Sequence, residues 1–358
     1  MSSSADDGST TSVQEPSAPP LDGDGTTEDD YRWVRATWLL VAVFALVTAL
    51  RSRHVGIPVR DPGGDFFRIR LLVSSVLVGV LALLDAWWRA RRAPGGLTWR
   101  AALRTRWTPR RLALTASALL AYHLVYYCYH NLKSWDVFNR PRDAMLLRWD
   151  RWLFAGHAPA QVLHHLLGQH VAAYVLMAVY ESFSTLVTVG VVAAVVLVPR
   201  VRDGYVFISS ALWVWILGVG SYYLVPSLGP FHSAPRLFAG LPHTMIQDTQ
   251  AKYLAQRAFL LAHPHSVHGF AQVSAFASLH VAVSTLLLLM AWYHRLRMVT
   301  AVLAVFVATT MVATVYLGWH FAVDDLAGLL IACVSVCLGR WMTYPRGRRP
   351  SGEVAATA

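Results

Sequence analysis

The chain has 358 residues, 55% of them hydrophobic and 14% charged, with a mean hydropathy of +0.42. Soluble domains carry about 25% charged residues, so the composition excludes a water-soluble globular protein. In so apolar a chain the formal net charge of +11 points to inward-facing loops and anionic headgroups, and away from nucleic acid.

Residues 1–30 hold eight acidic and no basic residues among Ser, Thr, Gly and Pro. They lack the apolar block of a signal peptide and bury too little surface to offset ordering, which predicts a disordered tail. Without them the chain has 31 basic against 12 acidic residues. Apolar stretches near the bilayer-crossing length of about 18 residues follow. Eight are expected, at 34–50, 71–90, 112–130, 171–198, 205–227, 274–292, 298–318 and 321–340. The expected fold is an all-α polytopic membrane protein. Cys128, Cys333 and Cys337 all fall inside these spans, as packing residues and not as a disulfide or a metal set.

The connections set the orientation. WWRARRAPGGLTWRAALRTRWTPRR, after the second span, holds eight arginines and reads as cytoplasmic. PRVRDG (199–204), YHRLRM (293–298) and the tail RWMTYPRGRRP agree, whereas the loop at 51–70, with five arginines, opposes them. Four segments against one predict cytoplasmic termini and put 131–170, 228–273 and 319–320 on the outer face. There, PRDAMLLRWDRWLFAGHAPAQVLHHLLG (141–168) reads as an amphipathic segment along the membrane surface, and the Pro-, Gly- and His-rich 228–273 as a cap.

Three outer constellations have the residues for chemistry. NLKSWDVFNRPRD (131–143) contains K-x6-R-P, with Lys133 one of only two lysines in the chain and Arg140 ahead of Pro141. An ammonium and a planar guanidinium together suit a phosphate. In VSAFASLHVAVS (273–284), Ser278 stands at a helix cap with His280 just inside the helix, and a helix N-terminus attracts anions. In YLGWHFAVDDLAG (316–328), His320 and Asp324 are four apart, on one face of a helix. A carboxylate there fixes the imidazole tautomer and frees the other nitrogen to attack or to move a proton, with Asp325 in a supporting role. Glu181, in YESFSTLV, either lines a cavity or bonds to Ser182 or a neighbouring helix.

K-x6-RP, S-x-H and H-x3-D together resemble the three signature motifs of the phosphatidic acid phosphatase type 2 superfamily of membrane phosphatases and phosphotransferases. AFASLHVA and TVYLGWHFAVDDLAG are similar to the branch containing inositol phosphorylceramide synthase. The likeness covers roughly 110–340. It implies a helical core formed by the last six spans, with His320 as nucleophile, Asp324 as its orienting partner and His280 as acid for the leaving oxygen. Lys133, Arg140 and Ser278 would bind the phosphate. The pattern departs in three places: Ala277 replaces a proline, Ala313 and Thr314 replace Ser-Arg, and K-x6-RP lies two spans early. SYYLVPSLGPFHSAPR (221–236) holds the expected place of the first motif, so Arg236 competes for the phosphate.

The expected organisation is a tail at 1–30, two additional spans and an Arg-rich loop at 31–110, a catalytic membrane domain at 111–340 and a basic tail at 341–358. The expected activity cleaves or transfers a phosphate ester of a membrane lipid or lipid-linked substrate, to water or to a polyol or lipid acceptor, with no metal or other cofactor. On the residues alone two other classes stay open. One is a zinc hydrolase using His280, His320, Asp324 and His265 or His268; the other is a transporter relaying protons through a buried His–Asp pair.

Overall fold

The computed structural model describes residues 31–93, 96 and 98–345. The acidic tail and residues 346–358 of the basic tail lie outside the described residues. All regular structure among the described residues is helical. The chain opens with two apolar helices, α1 (Arg32–Val55) and α2 (Arg68–Arg92), then the short α3 (Trp99–Arg106) and α4 (Pro109–Trp135). Two short helices, α5 (Asp143–Leu153) and α6 (Pro159–Leu167), precede the pair α7 (Val171–Val196) and α8 (Val201–Leu224). After α9 (Pro230–Ser233) and α10 (Met245–Ala262) come α11 (Leu279–Tyr293), α12 (Arg297–Tyr316) and α13 (Ala322–Thr343).

Seven of these helices are long and apolar enough to cross a membrane: α1, α2, α4, α7, α8, α12 and α13. The chain is a multi-pass all-α membrane protein. The expected eighth span at 274–292 begins later and is shorter: α11 has 15 residues, about 22 Å at the α-helical rise. Its N-terminus is recessed. A Cβ on Gly328, seven positions into α13, would collide with the carbonyl oxygen of Ser278, the residue capping α11. The capping residue therefore lies more than a turn below the start of α13, and the non-helical segment 263–278 covers that recess.

The most buried span, α8, sits at the centre, packed by α4, α7, α11 and α13. Close helix approach relies on small residues, with Gly339 of α13 against Ser210 of α8 and Gly204 of α8 against the Ala194 carbonyl of α7. Some polar groups in the apolar interior are paired between helices, where no water satisfies them. Trp38 Nε1 donates to Ser117 Oγ at 2.9 Å, and the Tyr205 hydroxyl donates to the Leu114 carbonyl at 3.1 Å.

The connections gather at two ends. At one end Arg106 and Arg111 donate to carbonyls of residues 196–199, closing the C-terminus of α7, and Arg202 donates to the Thr343 carbonyl. At the other end the loop between α1 and α2 packs on the last turns of α4 and on the segment following α10. There Arg60 exchanges two bonds with Asn131 and donates to the Gly269 carbonyl at 2.7 Å. The five-arginine loop and the eight-arginine segment thus occupy opposite ends of the bundle.

Candidate active site

The turn between α12 and α13 is set by Gly318, whose φ of +82° favours glycine. Backbone N–H groups of Trp319 and His320 both donate to the Thr314 carbonyl, folding the turn back on α12. His320 ends up just ahead of α13, two residues before its first helical position, and not inside a helix as the i,i+4 spacing suggests. The pairing survives in another form. Asp324 reaches back as a cap, accepting from the Phe321 N–H at 3.0 Å while its Oδ2 lies 3.4 Å from His320 Nδ1. Asp324 has no exposed surface. Asp325, one step on, accepts from the Thr314 hydroxyl at 2.9 Å. Thr314 stands at the arginine position of the third motif, so here that position serves a buried hydroxyl–carboxylate bond.

Two aspartates of α5 hold this turn, and they were not singled out in the sequence. Asp150 accepts from the N–H groups of Ala322 and Val323, each at 3.0 Å, satisfying the first turn of α13. Asp143, two helical turns earlier on the same face, accepts from Ser227 Oγ and from the N–H groups of Leu228 and Gly229. Gly229 has a φ of +101°, and a Cβ there would lie 2.6 Å from the Trp319 carbonyl. The segment expected to lie along the membrane surface is thus bolted by its buried acidic face to the histidine turn.

His280 enters from the first turn of α11. Its ring is stacked on Tyr180, 4.3 Å between centroids, and flanked by Phe183 at 4.3 Å. The His280 and His320 rings face each other at 6.1 Å. Burial pulls the His320 imidazole down to about 4, the Lys133 charge acting the same way against the opposing pull of Asp325. It is neutral at pH 7, the form in which a ring nitrogen attacks.

Both histidines line a cavity of about 440 Å³ between the helix ends. Lys133 of α4 lines it too, its Nζ 5.6 Å from the centre of the Tyr222 ring. The other cations there are Lys252 of α10 and Arg70 of α2. Both lysines of the chain therefore meet in one cavity. Arg140 and Arg236 do not line it: both are exposed, Arg140 beyond the chain reversal after α4 and Arg236 in the 3-10 turn after α9. Ser278 is fully buried, its Oγ spent on the Val281 N–H at the cap, while its neighbours Leu279 and His280 face the cavity. Glu181 lines the cavity beside Tyr180. His130 lines it as well, buried, with neither ring nitrogen hydrogen-bonded and its face stacked on Phe66 at 4.1 Å.

His265 and His268 are absent from this lining, and among the described residues no three His, Cys, Asp or Glu side chains form a metal-ligand group. A multi-pass helical bundle with a recessed, cation-lined cavity and two facing histidines is the class that fold and site define. The description of the PAP2 superfamily matches residues 144–338, more than half of the chain, and the chain belongs to that superfamily. No curated protein and no solved structure matches it. The match contains both histidines, Asp324, Asp150 and Lys252, and begins after Arg70 and Lys133.

Proposed function

We propose that the protein is a lipid-phosphate phosphatase or phosphotransferase acting through His320. The supporting observation is one arrangement: two histidines facing at 6.1 Å across a cavity that both lysines line, with one imidazole on a buried carboxylate. With Nδ1–H directed to Asp324, the Nε2 lone pair of His320 attacks phosphorus. The N–P bond forms as the bond to the leaving oxygen breaks, and His280 gives that oxygen its proton. Water or an acceptor hydroxyl then takes the phosphoryl group and frees His320. Lys133, Lys252 and Arg70 meet the charge spread over the phosphoryl oxygens, aided by the N-terminus of α11 that Ser278 caps. This set of cations takes over the role expected of Lys133 with Arg140 or Arg236. Likeness of the histidine motifs favours the inositol phosphorylceramide synthase-like branch, in which the acceptor is an alcohol.

The reading also puts the cavity at the outer membrane face, since the eight-arginine segment lies at the opposite end of the bundle. Incubation of purified protein with phosphate-labelled phospholipids, with and without candidate alcohols, tests the activity. Wild type should release or transfer label and His320→Ala should do neither. Equal turnover by the two would sink the proposal.

A further inference from the structure

A second cavity, about 910 Å³, opens at the end of the bundle away from the histidines, between α2, α3, α4 and the α7–α8 connection. Arg89, Arg92, Arg106, Arg110 and Arg111 line it with a single acid, Asp85. The arginines have different duties. Arg106 and Arg111 cap the C-terminal carbonyls of α7, and Asp85 is bridged by Arg89 at 2.9 Å and Arg106 at 2.8 Å. Arg92 is different: its guanidinium carbon lies over the Trp88 ring, 4.2 Å from the centre, and among the described residues it has no hydrogen-bond or ion-pair partner. A guanidinium held on an aromatic face by cation–π attraction keeps its N–H donors available, and a planar fork of such donors suits a phosphate.

The same helix supplies a path for acyl chains. Leu72, Val76, Val80, Leu84 and Trp88 are all exposed and spaced four apart, so they form one continuous ridge along α2. The next residue on that ridge is Arg92. Trp87 and Trp99, next in sequence to Trp88 and at the start of α3, are both exposed, as interfacial aromatics are. An apolar ridge ending in an aromatic platform and then a cationic cleft matches the order of groups in a phospholipid: chains, interface, phosphate.

We infer that this cleft binds the headgroup phosphate of an anionic phospholipid, with Arg92 on Trp88 as its recognition element and the α2 ridge as the seat of its chains. Arg89 and Arg106 stand beside it as second donors, while their bridges to Asp85 offset the mutual repulsion of the clustered guanidiniums. The site is separate from the histidine cavity and does not depend on the reaction proposed there.

The test uses the full-length protein in nanodiscs of equal phosphatidylglycerol and phosphatidylcholine, with retained lipid counted by native mass spectrometry after detergent release. Wild type should keep phosphatidylglycerol in preference. Arg92→Gln should weaken retention roughly five- to tenfold, the loss expected for one basic group at a headgroup. Arg100→Gln removes the same charge from an exposed arginine outside the cleft and should leave retention unchanged. Trp88→Leu should reproduce the loss with all charges intact. Equal loss in Arg100→Gln, or no preference in wild type, would reduce the site to general surface charge and overturn it. Displacement of the lipid by equimolar glycerol 3-phosphate would assign the cleft to a soluble phosphate and overturn the lipid reading.

Discussion

A carboxylate with no exposed surface, such as Asp324, is costly in an apolar protein unless hydrogen bonds meet its charge. The Phe321 N–H and the His320 ring meet one of its oxygens, Oδ2, which ties the carboxylate to the turn that orients the imidazole, while Oδ1 has no hydrogen-bond partner among the described residues. The histidines and their partner were legible in sequence because their spacing is local: one turn and one cap bring them together. The cations were not. Arg70, Lys133 and Lys252 come from three helices far apart in the chain, and no local spacing reports their convergence. K-x6-RP singled out Lys133, which lines the cavity, but joined it to Arg140, which is exposed beyond the end of α4 and does not. Removing one charge-assisted contact to a desolvated phosphate costs about 2–4 kcal/mol in the transition state, or roughly 30- to 1,000-fold in rate. Lys133→Ala and Lys252→Ala should each lower kcat/KM by that order, while Arg140→Ala and Arg236→Ala stay near wild type. Steady-state kinetics on one labelled lipid would compare the four, and a crippling Arg236→Ala would return the phosphate to the 221–236 loop.

At the scale of elements, α5 carried the largest surprise. Its amphipathic pattern suited a helix on the membrane surface, and periodicity alone does not say whether a polar face meets water or protein. Asp143 and Asp150, seven apart, face inward and accept five hydrogen bonds from the 227–229 and 322–323 segments. The recessed start of α11 was equally hidden, because an apolar run does not reveal that its first five residues, 274–278, are non-helical. Asp150→Ala would leave two partly buried N–H groups at the first turn of α13 without partners, a loss of about 1–2 kcal/mol. The variant should show a lower Tm and a lower kcat together. Asp150→Asn, which keeps an acceptor, should recover most of the Tm. An unchanged Tm in the alanine variant would mean that α13 does not depend on α5.

On the scale of the whole molecule, the superfamily match begins at residue 144, yet the cavity is completed by α2 and α4. The loop after α1 and the first turn of α2, which stood outside the resemblance, supply Phe66 and Arg70 to its wall. Arginine counting in the loops anticipated the two-ended layout, and the arginines of the 51–70 segment have structural duties at the cavity end, Arg60 donating to the Gly269 carbonyl and Arg70 lining the cavity. Sidedness is tested with single cysteines in a chain whose three native cysteines are replaced by alanine. Val267→Cys should react with an impermeant thiol reagent in intact cells and Arg100→Cys should not; the reverse pattern would invert the topology. The central claim, attack by His320, is met most directly by trapping the phosphoenzyme. Wild-type protein mixed with a lipid labelled at the phosphate and quenched in base should hold an acid-labile label on His320, and His320→Ala should hold none. Label retained by His320→Ala, on His280 or elsewhere, would contradict the account.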